Sequence, residues 1–245
     1  MKKFIALAVV LTVAMLSPVN WGLSHKGGGQ TPTAPAEGVA LLNKYNGVYY
    51  SKNTVEAGEK KVFFTFDLGY ESGYTAEVLD ILRENNIHGI FFLTGHYLKQ
   101  QELINRMIDE GHMIGNHTDK HKDLPTLSDE KIAGDIMDFQ NAFTSQYPNA
   151  KPPVFFRPPQ GRLDEKTLRI ASDNGLRAMM WSSAIVDWNK KPIDPEKSAD
   201  KIISRIHPGA IMLFHIANSG TPEMLKLLIT QLTENGYAIG SPDEI

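Results

Sequence analysis

Residues 61–66 (KVFFTF), followed at once by Asp67, decide the fold class of this sequence. A short run that is apolar at most positions and rich in aromatic side chains is typical of a strand buried on both faces. In the next segment, residues 75–85 (TAEVLDILREN), the apolar residues recur at helical spacing. A buried strand followed by an amphipathic helix is the unit from which parallel α/β sheets are built.

The same alternation continues along the chain and predicts about seven strands with a helix between each pair. Further strands are expected at residues 89–93, 112–115, 154–156, 178–182, 210–214 and 237–239, and further helices at 101–110, 128–147, 164–174, 195–206 and 222–235. Because the strands are continuous apolar runs, the sheet is expected to be mostly parallel. A (β/α) barrel and a doubly wound sheet both fit this pattern.

Composition excludes several classes of function. The chain has 245 residues, of which 42% are hydrophobic and 22% charged, and its net charge is -3. This length suits a single α/β barrel. A mildly acidic chain lacks the basic balance of general nucleic-acid binders, so no nucleic-acid partner is expected. The absence of cysteine excludes disulfides, thiol nucleophiles and cysteine-ligated metals.

The N-terminus has the features of a targeting segment. Two lysines precede an apolar run that ends at Leu16, which is the length of a signal peptide and shorter than a typical membrane span. We therefore expect residues 1–22 to be a signal peptide or an N-terminal membrane anchor. Residues 23–36, with the stretch KGGGQTPTAP, are expected to be a flexible linker, and residues 37–245 the functional domain.

Five polar residues follow five different predicted strands: Asp67, His117, Arg157, Asp187 and His215. In parallel α/β folds the carboxyl ends of the strands meet at one edge, where the loops build binding and catalytic sites. One charged residue at a strand end means little, but five at the same edge predict a site.

His117 and His121 are four residues apart, and one helical turn or a tight loop would bring both imidazoles to one metal ion. Taken alone, this spacing is more often a coincidence or a solvated helix face. Zinc suits two imidazoles with oxygen ligands and a water. Such an ion lowers the pKa of the water and polarises a carbonyl, as amide or ester hydrolysis requires.

Arg157 stands in a proline-rich turn (FRPPQG, residues 156–161). Its permanent charge could hold Asp67 ionised and oriented. The backbone N–H of Gln160, after the two prolines, could donate to an oxyanion. The alternative is a structural turn with a surface arginine.

Asp187 could orient a histidine, and Trp188 beside it could stack on a sugar ring. His215 ends an apolar strand and could act as a general acid. The remaining histidines in the body of the chain are assigned to the core or the surface: His88, His96, His112 and His207.

These motifs, taken in order, resemble the polysaccharide deacetylase family, the NodB-homology or family 4 carbohydrate esterases. The resemblance spans residues 61–239 and is carried by the segments TFDLG (65–69), NHTDKH (116–121), RPPQG (157–161), DW (187–188) and LFH (213–215). The segments GYESGYT (69–75) and NWG (20–22) are similar to one branch, the delta-lactam-biosynthetic peptidoglycan deacetylases of spore-forming bacteria.

The resemblance implies a distorted (β/α) barrel with about seven mostly parallel strands. It implies metal-assisted removal of N-acetyl groups from peptidoglycan glycan strands, at N-acetylmuramic acid on the route to muramic delta-lactam in spore cortex. The enzyme would be exported, either secreted or held at the outer face of the cell membrane or forespore envelope, and we expect a monomer. The implied roles are Asp67 as general base, His117 and His121 as metal ligands, Arg157 tuning Asp67, Gln160 holding the oxyanion, and His215 as general acid oriented by Asp187.

Leu68 departs from the family pattern, which usually places a second aspartate there as a metal ligand. The metal, expected to be zinc with cobalt or manganese as alternatives, should therefore bind more weakly. Asp67 or a substrate oxygen would complete the shell, and Asp119 or Glu71 are further candidates. The delta-lactam branch tends to lack this aspartate as well.

Two other functions remain open at this point. The substrate could be N-acetylglucosamine in peptidoglycan or in chitooligosaccharides. The chain could also be a non-catalytic protein that binds cell-wall glycan on the same fold, a reading that Leu68 motivates.

Overall fold

The computed structural model describes residues 18–21, 34–189 and 191–245. Most of the expected leader and linker therefore lies outside the described residues, and both stay predictions. None of the helices in the described ranges has the length and apolar character needed to cross a bilayer.

Strands and helices alternate as the sequence predicts. The strands are β1 (Val19–Asn20), β2 (Lys61–Leu68), β3 (Ile90–Leu93), β4 (Met113–Asn116), β5 (Phe155–Phe156), β6 (Arg162–Leu163), β7 (Arg177–Ala178), β8 (Ser183–Ala184), β9 (Ala210–His215) and β10 (Ala238–Ile239). The helices are α1 (Ala36–Lys44), α2 (Lys52–Glu56), α3 (Thr75–Glu84), α4 (Gln101–Asp109), α5 (Asp129–Gln146), α6 (Glu165–Asp173), α7 (Pro195–Ile203) and α8 (Thr221–Glu234).

The main sheet has the order β7-β5-β4-β3-β2-β9-β8, with β10 beside the start of β2, and its strand pairs are parallel. The predicted fold class is confirmed. The two edge strands, β7 and β8, are consecutive in the chain, so residues 179–182 pass directly from one edge of the sheet to the other. This crossing curls the sheet into a distorted barrel rather than an open doubly wound sheet.

The fifth predicted strand, residues 178–182, is wrong in its bounds. The chain instead forms β7 and β8, with residues 179–182 between them; we call these four residues the seam. Met179 N donates to Phe156 O on β5 at 2.8 Å, and Ser182 N donates to Ile211 O on β9 at 3.0 Å. Between these points the seam carbonyls bind side chains from elsewhere in the chain, described below, and not a neighbouring strand.

Side chains of β2 alternate between two buried clusters. The even-numbered positions, such as Phe66 and Leu68, pack in the cluster that includes residues of α3 and α8. Phe63 belongs to the second cluster, with residues of β5, β7 and the seam. Because successive strand side chains point to opposite faces, Asp67 lies on the face opposite to Leu68. Leu68 is therefore a core residue, and it cannot bind a metal ion.

Several short elements were not predicted from the sequence. The helices α1 and α2 precede the first long strand, and β1 pairs with β6 in a separate two-stranded antiparallel sheet. The strands β1 and β6 and the five-residue helix α2 have too few residues to show a clear period in the sequence. Helix α1 is longer, but it directly follows the glycine- and proline-rich stretch that is expected to be a linker.

Gly115 in β4 is expected to be intolerant of a side chain. A Cβ there would lie 2.5 Å from the buried ring of Phe92, so Gly115→Ala should lower the free energy of unfolding by about 1–3 kcal/mol. Gly134 in α5 is the matched control, because a Cβ there has no neighbour within 4 Å. Gly134→Ala should raise the stability by about 0.5–1 kcal/mol. Urea denaturation measures the change in unfolding free energy of both variants. Equal changes in the two variants would contradict the close packing of Gly115 against Phe92.

Candidate active site

The predicted site residues gather at the carboxyl edge of the sheet, at the ends of β2, β4, β5, β8 and β9. They surround a cavity of about 430 Å³. Its lining includes Asp67, Gly69, His117, His121, Gln160, Gly161, Trp181, Trp188, Leu213 and His215. Arg157 and Asp187 are fully buried beside these lining residues and contact them. The structure thus brings all eight predicted site residues together.

Arg157 is a buried cation inside the barrel, and the alternative of a surface arginine in a turn is wrong. Its Nη1 donates to Asp67 Oδ1 at 2.8 Å and to Thr65 Oγ1 at 2.9 Å. Its Nε donates to the carbonyl of Met179 at 2.9 Å, and its Nη2 to that of Met180 at 3.3 Å. One guanidinium therefore joins the central strand β2 to the seam.

Asp67 is held as a carboxylate. Burial, the largest single influence, would raise the pKa of this acid, but the charge and hydrogen bond of Arg157 together with the neighbouring His117 and His215 outweigh burial, and the pKa is lowered from its ordinary value. Asp67 is consequently ionised at neutral pH and can accept a proton from a group in the cavity.

His117 and His121 are neutral imidazoles beside this carboxylate. The Nδ1 of His117 lies 2.8 Å from the carbonyl oxygen of Arg157, which can only accept, so Nδ1 carries the proton. His117 Nε2 then carries an unprotonated lone pair and lies 3.6 Å from Asp67 Oδ2. The ring centroids of His117 and His121 are 4.9 Å apart. Burial lowers the pKa of His117 to about 4 and also lowers the pKa of His121.

The donor set fits a divalent metal ion incompletely. Two neutral imidazoles with the Asp67 carboxylate are ligands of the kind that zinc, cobalt or manganese accepts. Within the described ranges, however, no cluster of three such residues already has ligand spacing. Glu71 binds the hydroxyls of Thr75 and Tyr97, each at 2.6 Å. Asp119 lines a second cavity, next to the first, to which His121 also contributes. Among the described residues, neither Glu71 nor Asp119 forms a ligand cluster with the two histidines.

Backbone strain is concentrated at this site. Among the residues that the structure describes, five that are not glycine have a positive φ, and Thr118, His121 and Gln160 are three of them. Such conformations each cost on the order of 1–3 kcal/mol and persist where the surrounding structure enforces them. They place His121 and Gln160 on the cavity wall.

His215 and Asp187 form the second charged pair. Asp187 is fully buried, and its carboxylate accepts from the backbone N–H of His215 and pairs with His215 Nδ1, both at 2.8 Å. Burial alone would lower the pKa of His215, but the charge and hydrogen bond of Asp187 outweigh burial and raise it. The protonated imidazole is therefore favoured, as a general acid requires.

Two aromatic residues extend the cavity outward. Trp188 is 49% exposed, with its ring 5.4 Å from that of His215. A second cavity of about 650 Å³ shares Gly69 and His121 with the first. Tyr70, 72% exposed, lies there with its ring 4.6 Å from that of His96. Sequence reasoning missed Tyr70 and His96 at this site, although Tyr70 follows the Asp67 motif closely enough to have been a signal.

Comparison with known proteins identifies the same family that the sequence motifs resemble. A family model described as "Polysaccharide deacetylase" matches residues 54–179. The Bacillus subtilis protein named peptidoglycan-N-acetylmuramic acid deacetylase PdaA is 39% identical over 230 residues, which is 93% of this chain and 86% of that protein. A Bacillus cereus peptidoglycan-N-acetylglucosamine deacetylase is 30% identical over 200 residues, covering 78% of this chain and 90% of that protein.

Solved structures agree with the sequence matches. The structure of Bacillus subtilis PdaA, described as a family 4 carbohydrate esterase, superposes with a TM-score of 0.82 at 36% identity, covering 93% of this chain and 96% of that one. A family 4 carbohydrate esterase from Bacillus anthracis gives a TM-score of 0.75 at 34% identity, covering 93% and 95%.

The pairing of His215 with Asp187 leads to a pKa prediction that does not depend on any activity. In an NMR titration the pKa of His215 should lie above its ordinary value of about 6.5, and it should fall in Asp187→Asn because the stabilising negative charge is gone. His207 is the internal control: its Nε2 lies 2.9 Å from Ser182 Oγ, and burial lowers its pKa in both proteins. An unchanged His215 pKa in the variant would contradict the assignment.

Proposed function

Because this chain belongs to the polysaccharide deacetylase family, we propose that it is an exported enzyme that removes the N-acetyl group of N-acetylmuramic acid in peptidoglycan. Its product would lie on the route to muramic delta-lactam in spore cortex. The observation that carries this proposal is the pair of oppositely tuned groups on one cavity, Asp67 with its pKa lowered and His215 with its pKa raised. A base and an acid on the same cavity are what amide hydrolysis needs.

Deacetylases of this family depend on a metal ion. We propose that His117 and His121 hold it, with an oxygen of Asp67 or of the substrate, and that it is zinc, with cobalt or manganese as alternatives. When bound, such an ion lowers the pKa of water and polarises the amide carbonyl. Without a second aspartate at Leu68 we expect it to be loosely held and exchangeable.

The chain's own residues account for the proton movements. The Asp67 carboxylate accepts a proton from the attacking water, while Arg157 keeps that carboxylate ionised and oriented. The backbone N–H of Gln160 donates to the oxyanion of the tetrahedral intermediate. The His215 imidazolium then gives its proton to the leaving nitrogen, and Asp187 holds the ring in place. The products are acetate and a free amino group on the sugar.

The substrate is proposed from the shape of the cavity and from the relatives. Trp188 presents half of its indole beside His215, a surface on which a sugar ring can stack. The greater likeness to the relative named for N-acetylmuramic acid, at 39% identity against 30% for the one named for N-acetylglucosamine, favours the muramic sugar. N-acetylglucosamine, in peptidoglycan or in chitooligosaccharides, is the second candidate substrate.

A non-catalytic glycan-binding role is less well supported. Leu68 motivates it, but binding alone does not require a buried arginine beside Asp67 or a fully buried aspartate behind His215. We further propose that the protein acts as a monomer outside the cell, either released or tethered through its N-terminal segment. The two lysines and apolar run at the start of the sequence support export.

Asp67→Asn should lower the rate of acetate release by about 10²–10⁴-fold, because an amide cannot accept the proton from water. Asp80→Asn is the matched control, since Asp80 pairs with Arg83 and Arg106 on the outer helices. That control should retain full activity. A thermal melt shows whether each variant is folded, and undiminished release by folded Asp67→Asn would refute the role of this residue.

The function itself is tested by acetate release from peptidoglycan glycan strands, with and without stem peptides. Chelator-treated protein is compared with protein given Zn²⁺, Co²⁺ or Mn²⁺, and mass spectrometry of the digested glycan locates the lost acetyl group. We expect metal-dependent release with the loss on muramic acid. Loss on glucosamine would support the second substrate, and tight glycan binding without release under any metal would support the binding protein.

A further inference from the structure

Residues Val19–Trp21 are docked on the barrel, although they lie in the region expected to belong to the leader. Val19 pairs with Leu163 and Asn20 with Arg162 in the antiparallel β1–β6 sheet. The backbone N–H of Trp21 donates to the carbonyl of Gly161 at 2.8 Å.

The side chain of Trp21 fills a slot shaped for an indole. It is only 3% exposed, and its ring lies edge-on to that of Tyr49 with the centroids 5.4 Å apart. Gly38 in α1 leaves the room it needs, since a Cβ at that position would come within 2.8 Å of the indole. The burial of this ring at a matching glycine and aromatic partner indicates a specific contact.

Trp21 also completes the hydrogen bonding of the seam. Its Nε1 donates to the carbonyl of Trp181 at 2.7 Å. The two preceding seam carbonyls, those of Met179 and Met180, accept from Arg157. Three successive carbonyls outside the strand ladder are therefore satisfied by two side chains, Arg157 from within the barrel and Trp21 from the N-terminal segment.

The contacts of Trp21 reach the wall of the catalytic cavity. Its two hydrogen bonds end on Gly161 and Trp181, which both line that cavity, as does Gln160. Gly161 has a φ of +64°, and a Cβ there would lie 2.7 Å from the Trp181 indole and 3.4 Å from the Cβ of Trp21. The turn that carries the proposed oxyanion donor is thus packed against the Trp181 indole and the Cβ of Trp21.

We propose that Val19–Trp21 is a brace that stays on the mature protein and that Trp21 is a positioning residue for deacetylation. The brace fixes the seam and the Gln160–Gly161 turn in the geometry that the oxyanion requires. Any cut by a leader peptidase then lies before Val19, and not at residue 22 as the sequence alone suggests. The kinetic part of this inference rests on the proposed function, whereas the docking does not.

Docking is tested without any activity measurement. The chain has three tryptophans. In the full-length protein the indole N–H of Trp21 should exchange slowly with D₂O by NMR, because it is buried and bonded, whereas that of the half-exposed Trp188 should exchange fast. Intact-mass measurement of the exported protein should place its N-terminus at or before Val19. Fast exchange at Trp21, or a mature chain that starts after it, would overturn the brace.

Positioning is tested by kinetics on glycan strands. Trp21→Phe keeps a ring in the slot but removes the donor to Trp181, and we expect kcat to fall about ten-fold with KM within about two-fold of wild type. Leu232→Ala is the matched control, since it also removes buried apolar volume. Leu232 lies about 16 Å along α8 from Thr221, whose hydroxyl bonds to the carbonyl of His215.

The two variants should both lower the melting temperature, but only Trp21→Phe should lower kcat at a temperature where both are folded. Equal kcat values in Trp21→Phe and wild type would overturn the positioning role. Wild-type protein that releases no acetate would instead overturn the proposed function and, with it, this role; indole exchange would then decide the docking by itself.

Discussion

The buried guanidinium of Arg157 is the interaction on which the rest of the structure depends. It holds Asp67 on the central strand and two carbonyls of the seam with one planar group, which lies 4.1 Å from the ring centre of Phe92. A lysine could not do this, because it lacks a rigid fork of donors. Closure of the barrel and the charge state of the proposed base are therefore coupled. Loss of either partner would leave an uncompensated charge at the centre of the fold.

The titratable groups around one cavity have pKa values shifted in different directions because each group has a different neighbour. The pKa of Asp67 is lowered beside a cation, the pKa of His215 is raised against the buried Asp187, and the pKa values of His117 and His121 are lowered because burial disfavours their charged form. The neighbours that separate the acid from the base, Arg157 and Asp187, are themselves fully buried. Their positions set the chemistry while leaving the cavity free for substrate.

Much of this arrangement follows from sequence, and the rest has a physical reason for being hidden. The strand ends predict Asp67, His117, Arg157, Asp187 and His215, because parallel strands deliver their carboxyl ends to one edge. The long helices were found from their apolar period. The apolar run predicts a strand through the seam, because an apolar run does not reveal where its carbonyls bind. The contact of Trp21 with Trp181 spans 160 residues and has no local signal in the chain.

The docking of Val19–Trp21 also limits the distance between the barrel and the apolar run in a protein that keeps its leader. Only Ser17 and Pro18 separate the apolar run, which ends at Leu16, from Val19. Two residues span at most about 7 Å. The glycine-rich stretch at residues 26–35 connects two segments that are both bound to the barrel. Its length therefore does not increase the distance between the apolar run and the barrel. Under the proposed export, a molecule that keeps its leader as an anchor would hold its active site close to the lipid surface, whereas a cleaved one would be free to diffuse away from it.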